Sequence, residues 1–384
     1  GAILAMASLP NYDLNDPRTI YDEKLAAQLE GLEGDAYQEK LGELQLLQWR
    51  NKAINDTYEP GSTFKILTLA MALEEGLIDE SSTFNCAGHI NVEGWPKPMY
   101  CSKRSGHGQQ TLAQAVANSC NPAFIQIGLK VGTDKFYQYV SDFGLLDTTG
   151  IDLQGEGKGI FFDEEEFGKN VVSLASAAFG QTFNVTPIAL ITAEAAAVNG
   201  GYLYEPYLVQ QVLDSDGNVV YEHDSTPVRQ VISEETSERV CALLEGVVDG
   251  GTGKNAYVAG YRIGGKTGTA DKTGTKTEDN PQGDIVVSFV GVAPIDDPEV
   301  IILIALDTPS RTTGTYPSGG NMAAPTAGNL FAQILPYLGI EPSYSAEEMA
   351  SADTNVPNCI GLSLEEAKQE LEESGFSYRV LGDG

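Results

Sequence analysis

One stretch limits what this chain can fold into more than any other. A helix opening near Pro60 to Ser62 runs through Ile66, Leu67, Leu69, Ala70, Met71 and Leu73 to a stop at Gly76, and it is apolar nearly all round. Such a helix has no face to offer to water, so the rest of the chain must wrap it at the centre of the fold. The composition allows this: 384 residues at 42% hydrophobic can fill a large core and exclude global disorder. At roughly 150 residues per domain, the length fits two to three domains, or one large mixed domain with an appendage. The 54 acidic against 23 basic residues give a net charge of −31. A polyphosphate partner needs basic surface to displace counterions, so a generic nucleic-acid binder is excluded.

Around that helix the pattern reads as mixed α and β. Further helices are expected at 111–118, 122–131, 133–143, 186–198 and 233–248. Two short strands, 203–213 and 219–222, flank the turn Asp216-Gly217-Asn218. The period then changes to strands at 259–270, 284–293 and 300–306, the last two joined through Asp296-Asp297-Pro298 as an antiparallel hairpin, with a helix at 325–337 covering the sheet. Residues 1–9 read as a strand, and the acidic stretch 21–48 as a solvated excursion. Residues 341–354 are polar and small, like a linker. The tail, 355–384, holds one amphipathic helix capped by Ser363 and one short strand, too little to be stable alone. No run of about 18 apolar residues exists. The opening residues lack the basic start and cleavage site of a signal peptide, and the chain is expected to be the middle of a longer protein.

Three segments could carry chemistry. In Ser62-Thr63-Phe64-Lys65, residues three apart share a helix face, so Lys65 reaches the Ser62 hydroxyl. Burial disfavours the charged form of that lysine and makes it a usable base. Ser119-Cys120-Asn121 lies in a turn before Pro122, where Ser119 could relay a proton and Asn121 hold a substrate amide; a pair of capping residues is the plainer reading. In Lys266-Thr267-Gly268-Thr269, on a strand, Lys266 and Thr267 could bind a carboxylate. Gly268 leaves room for substrate along the edge, and the Thr269 N–H could complete an oxyanion hole. Gly260-x-x-x-x-Gly265-Lys266-Thr267 also matches the phosphate-loop pattern, but that motif needs a helix directly after Lys-Thr, and a polar loop follows here. The five cysteines (Cys86, Cys101, Cys120, Cys241, Cys359) lack paired Cys-x-x-Cys spacing, and His89, His107 and His223 suggest no ligand cluster. Neither a metal nor a histidine-dependent serine hydrolase is expected.

Jointly, SxxK, SxN and KTG in this order resemble the penicillin-recognising serine acyltransferases. Tyr58-Glu59-Pro60-Gly61-Ser62-Thr63-Phe64-Lys65, Gly106-His107-Gly108, Ala178-Phe179-Gly180-Gln181 and Gly264-Gly265-Lys266-Thr267-Gly268-Thr269-Ala270 narrow the resemblance to class B penicillin-binding proteins of division or sporulation. It covers residues 1–340 and implies a central antiparallel sheet covered by helices, with an all-helical subdomain. The tail is similar to the first part of a PASTA module. The resemblance implies a peptidoglycan D,D-transpeptidase: Ser62 attacks the penultimate D-Ala carbonyl, Lys65 takes its proton, and Ser119 passes it to the departing D-Ala. Asn121 holds the substrate, Lys266, Thr267 and Thr269 bind its carboxylate, and the N–H groups of Ser62 and Thr269 form the oxyanion hole. β-Lactams would trap Ser62, and no cofactor is needed. It also implies a membrane anchor upstream, the extracytoplasmic face of the membrane, and a membrane glycan polymerase as partner. In an exported protein a disulfide from Cys101 or Cys86 to Cys120 could lock the cleft. A serine β-lactamase would need a Glu-x-x-Leu-Asn segment to place water, and none is evident. A β-lactam sensor or a non-catalytic division scaffold is the alternative from another class.

Overall fold

In a computed structural model describing residues 1–278, 280–352, 357, 359–374, 376 and 378, the apolar stretch forms helix α1 (Lys65–Glu74). Every residue from Lys65 to Leu73 is buried, and Gly76 follows at φ +63°. Next come β1 (Thr83–Cys86), β2 (Gly108–Thr111), α2 (Leu112–Ala117), α3 (Asn121–Val131), α4 (Pro187–Val198) and α5 (Glu234–Asp249). The chain continues through β3 (Gly264–Asp271), β4 (Ile285–Ala293), β5 (Val300–Asp307) and α6 (Ala324–Tyr337). Local chemistry sets the helix starts. Thr111 and Gln114 close a capping box on α2, while Thr186 caps α4 ahead of Pro187 and Ser233 caps α5.

Strands β3, β4 and β5 form an antiparallel sheet in the order β5-β4-β3. Strand β4 is buried along its whole length, and its period of two feeds two cores. Val290 and Val292 join the helical core built around α1, whereas Phe289 and Ala293 meet Phe331 and Leu335 of α6 on the other face. Each large side chain removed from water contributes roughly 1.5–3 kcal/mol, so a one-residue slip that reversed both faces is strongly disfavoured. Helix α1 packs against α3 and α5. Of the sheet's two edge strands, β3 lies against the turn that precedes α1.

The structure departs from expectation in four places. Residues 1–9 do not form a strand: Ala2 makes one parallel bridge to Tyr207, and Leu4 and Leu9 are exposed. Residues 1–11 and β5 both line a cavity of about 2180 Å³, and β5 is laddered only to β4 among the described residues. Strand β3 begins at Gly264 rather than 259, because Val258 and Tyr261 pair in a tight turn. The expected strand at 203–213 is broken into Tyr202–Leu203 and Gln211–Leu213.

The expected linker is partly helical, at Ala346–Ala352, and docks. Ser345 and Glu348 cap each other's backbone N–H, and a Glu348 carboxylate oxygen accepts from Gly260 N–H at 2.9 Å and from the Tyr257 hydroxyl. In the tail, Ser363 and Glu366 close another capping box on Leu364–Glu373. The tail's Val356 and most of its expected strand lie outside the described residues. Among those described, no helix is long and apolar enough to cross a membrane.

Candidate active site

Pro60 leads into a 3₁₀ turn, Gly61–Phe64, that runs straight into α1. In such a turn residues three apart eclipse, so Ser62 and Lys65 fall on one side. The Lys65 amide donates to the Ser62 carbonyl. The Lys65 side chain is 1% exposed and lies 5.2 Å from the centre of the Phe124 ring. Its Nζ donates to Asn121 Oδ1 at 2.6 Å, to the Ser119 carbonyl at 2.9 Å and to Ser119 Oγ at 3.2 Å. Burial pulls its pKa down to about 7, against a smaller opposing effect of the Cys120 and Cys101 thiols.

Ser119 lies where the chain reverses from α2 into α3, at φ +51°. This left-handed conformation costs a non-glycine residue about 1–2 kcal/mol and signals a position held for its side chain. From the sheet edge, Lys266 Nζ donates to the same Ser119 Oγ at 2.7 Å and to the Thr267 carbonyl at 3.1 Å. Lys266 is 1% exposed; burial first, and then the nearby Lys65 amine, depress its pKa strongly. One hydroxyl thus joins all three motifs.

The remaining predicted residues are placed as follows. Asn121 is engaged by the protein at both ends, since its Nδ2 donates to the Tyr100 carbonyl at 3.1 Å. Thr267 Oγ1 donates to Thr252 Oγ1 at 3.0 Å, and Thr269 is exposed on the edge strand. Gly268 is glycine for a different reason than expected. A Cβ there would sit 2.2 Å from Ser288 Oγ and 3.0 Å from Thr63 Cγ2, so the space belongs to protein packing rather than to substrate. The phosphate-loop alternative fails, because Gly264–Asp271 is one continuous strand.

Sequence reasoning missed two residues. Thr252 sits in a glycine-flanked turn with no motif to mark it. Glu194 was legible as the lone acid of the apolar α4: it is fully buried, and neither carboxyl oxygen has a hydrogen-bond partner among the described residues. Burial drives its pKa well above the usual range, against the smaller opposing effects of the nearby Thr63 hydroxyl and then of Lys266. The expectation that the cysteines and histidines make no ligand cluster is also corrected. Cys86, Cys101, His107 and Cys120 converge, each offering a ligand atom within 4.8 Å of the others. All five cysteines are unbridged thiols here.

Two expectations follow. Ser119→Gly relieves the backbone strain, so urea denaturation should show stability within about 1 kcal/mol of the parent, while Ser62 acylation falls about 10²-fold. Because burial keeps Glu194 neutral, Glu194→Gln should cost no more than about 1 kcal/mol in the same measurement. A loss of about 3–5 kcal/mol would mean that the acid is ionised against Lys266.

An antiparallel sheet with helices on both faces, and a serine turn laid against one of its edge strands, defines the penicillin-recognising fold. The chain belongs to the penicillin-binding protein transpeptidase family: the family model for the penicillin binding protein transpeptidase domain matches residues 1–334. It is 41% identical over 380 residues to Stage V sporulation protein D of Bacillus subtilis, covering 97% of this chain and 54% of that protein. It is 28% identical over 348 residues to peptidoglycan D,D-transpeptidase FtsI of Escherichia coli, covering 89% and 50%. The chain therefore spans about half the length of these relatives, and the class B assignment stands. Among solved structures, the D,D-transpeptidase domain from Eggerthella lenta is 27% identical, with TM-score 0.69 and coverage of 87% and 75%. Penicillin binding protein 3 of Mycobacterium tuberculosis, complexed with ampicillin, is 26% identical, with TM-score 0.70 and coverage of 81% and 69%.

Proposed function

We propose that this chain is the catalytic part of a peptidoglycan D,D-transpeptidase acting through a Ser62 acyl-enzyme. The observation that carries the reading is the Ser119 hydroxyl held between Lys65 Nζ at 3.2 Å and Lys266 Nζ at 2.7 Å. Neutral Lys65 removes the Ser62 proton as Oγ attacks the penultimate D-Ala carbonyl of a stem peptide. The N–H groups of Ser62 and Thr269 stabilise the oxyanion. The proton passes from Lys65 through Ser119 Oγ to the leaving D-Ala nitrogen, and the C–N bond breaks. An amine of a second stem peptide then attacks the ester, its proton returns along the same relay, and Ser62 is regenerated with a cross-link formed. The approaching terminal carboxylate favours protonated Lys266, with Thr267 and Thr269 as further donors.

Cell-wall synthesis in division or sporulation fits the names of the relatives. Anchoring on the extracytoplasmic face, a membrane glycan polymerase as partner, and PASTA character in residues 355–384 extend the same reading. So does a division of the chain into a transpeptidase domain over 1–340 and a connecting segment over 341–354 that docks back on it through Glu348. The test incubates the protein with a D-Ala-D-Ala-ended stem peptide and an amine acceptor. Release of D-Ala with formation of the cross-linked dimer is the expected result. A labelled penicillin should also leave an acyl-enzyme lasting minutes or longer; rapid hydrolysis would indicate a β-lactamase instead.

A further inference from the structure

In a chain with 54 acidic against 23 basic residues, a surface cation readily finds a carboxylate, as Arg239 does with Glu80 at 2.8 Å and Arg262 with Glu245 at 2.7 Å. The excursion between β1 and β2, residues 87–107, breaks this pattern. It carries Lys97, Lys103 and Arg104 against the single acid Glu93, and all three cations are exposed. None of the three forms an ion pair among the described residues. On so acidic a molecule, an unpaired cationic cluster is a local attractor for anions.

Arg104 is held beside the active site. Met99–Tyr100 pairs with His89–Ile90 as a two-stranded ribbon, and the Arg104 guanidinium carbon lies 4.0 Å from the centre of the Tyr100 ring. An arginine stacked on an aromatic face keeps its in-plane N–H groups available for a bidentate carboxylate. The backbone fixes this stacking. Gly106 N–H donates to the Lys103 carbonyl at 2.9 Å, and a Cβ at Gly88 would stand 2.0 Å from the Arg104 carbonyl oxygen, so glycine lets the turn close on the ribbon. The Tyr100 carbonyl accepts from Asn121 Nδ2 at 3.1 Å, while Asn121 Oδ1 accepts from Lys65 Nζ at 2.6 Å. One side chain therefore separates the catalytic amine from the strand beneath Arg104. The second hydrogen of Asn121 Nδ2 remains for substrate. A peptide held there spans about 3.4 Å per residue, which brings the one or two residues before its D-Ala-D-Ala end to Arg104.

We propose that Arg104, stacked on Tyr100, is a specificity-determining residue that binds a carboxylate of the donor stem peptide, one or two residues before its D-Ala-D-Ala end. This subsite deepens the acyl-transfer reading and rests on it for the direction in which the donor lies. The carboxylate it takes is distinct from the terminal one at Lys266, so the donor is gripped on both sides of the bond that Ser62 attacks. A carboxamide in its place keeps the shape and loses the charge that Arg104 reads. Lys97 and Lys103 add attraction at longer range.

The test titrates the 384-residue protein as Ser62→Ala, which does not turn the donor over, with pairs of D-Ala-D-Ala-ended peptides. Within a pair the peptides differ only in a free carboxylate or a carboxamide on one of the two residues before that end. Calorimetry at low salt, without acceptor, is expected to show the acid bound about 10-fold more tightly than the amide in one of the pairs. Adding Arg104→Gln should bring that ratio to about 1–2, and Arg104→Glu should favour the amide. Raising the salt should shrink the ratio. With Ser62 restored, steady-state turnover should place the difference in KM rather than in kcat. The subsite is overturned if acid and amide bind alike in every pair, if no peptide binds, or if the ratio survives Arg104→Gln. Because no acceptor is present, the ratio belongs to the donor. A ratio lost in Arg104→Gln, in a protein whose Ser62 releases no D-Ala, would sustain the subsite and reject the acyl-transfer reading. D-Ala released from acid and amide with equal KM would reject the subsite alone.

Discussion

Ser62→Ala is expected to abolish the covalent penicillin adduct in intact mass spectra and to lower donor turnover by on the order of 10⁴-fold or more. The substitution removes one oxygen from a half-buried position and leaves the turn that carries it intact. That turn is held by backbone groups: Gly61 N–H donates to the Gly180 carbonyl at 2.9 Å, and the Lys65 amide closes on Ser62 and Thr63. The Ser119 relay does not depend on the Ser62 hydroxyl either, since both lysines reach Ser119 Oγ directly. The variant should therefore melt like the parent and still bind penicillin reversibly. An adduct that persists in Ser62→Ala, or that maps to Ser119 in the parent, would place the nucleophile elsewhere.

Much of this arrangement was legible because it is local. An all-round apolar helix can only be central, and α1 is. Each motif announced the element beneath it: a helix start for Ser62, a helix-to-helix turn for Ser119, a strand for Lys266. What could not be read is what depends on distance in space. The sequence suggested that Ser119 relays a proton, but not that its hydroxyl bridges two buried amines, one of them 147 residues further along the chain. The cysteine and histidine cluster was half read for the same reason: Cys86 or Cys101 was expected to reach Cys120, but His107 was not expected beside them. Its members are 15, 6 and 13 residues apart, unlike compact zinc motifs, and only the hairpin that returns His107 to Cys86 unites them. Two signals were present and unread. Glu194 is a lone acid on an apolar helix, and Ser345-x-x-Glu348 is a capping box inside a stretch read as linker. The N-terminal strand failed differently: its apolar residues suit a sheet, but with β5 they line a cavity.

Lys65→Met separates function from stability, and the sign of each effect follows from where the amine titrates. Lys65 is a base only when neutral. With its pKa near 7, the parent's acylation rate should rise tenfold per pH unit below that value and level off above it. Lys65→Met removes the base and should lose about 10³–10⁴ in acylation at pH 8, with the pH dependence flattened. Stability runs the other way. In the unfolded chain this lysine titrates near its ordinary value of about 10.4, so between about 7 and 10 the unfolded state binds more protons and the parent's stability rises with pH. Below about 7 both states are protonated, and the folded state bears the full cost of a buried ammonium. Methionine has no charge to desolvate, although it leaves Asn121 Oδ1 short of a donor at about 1–3 kcal/mol. The variant should therefore gain stability relative to the parent as pH falls towards 6 and lose that advantage as pH rises towards 10. Urea denaturation at pH 6, 7.5 and 9, run beside penicillin acylation, measures both. A parent whose acylation rate keeps rising up to pH 10, with no pH-dependent stability gap from Lys65→Met, would show that burial does not depress Lys65 and that another group accepts the Ser62 proton.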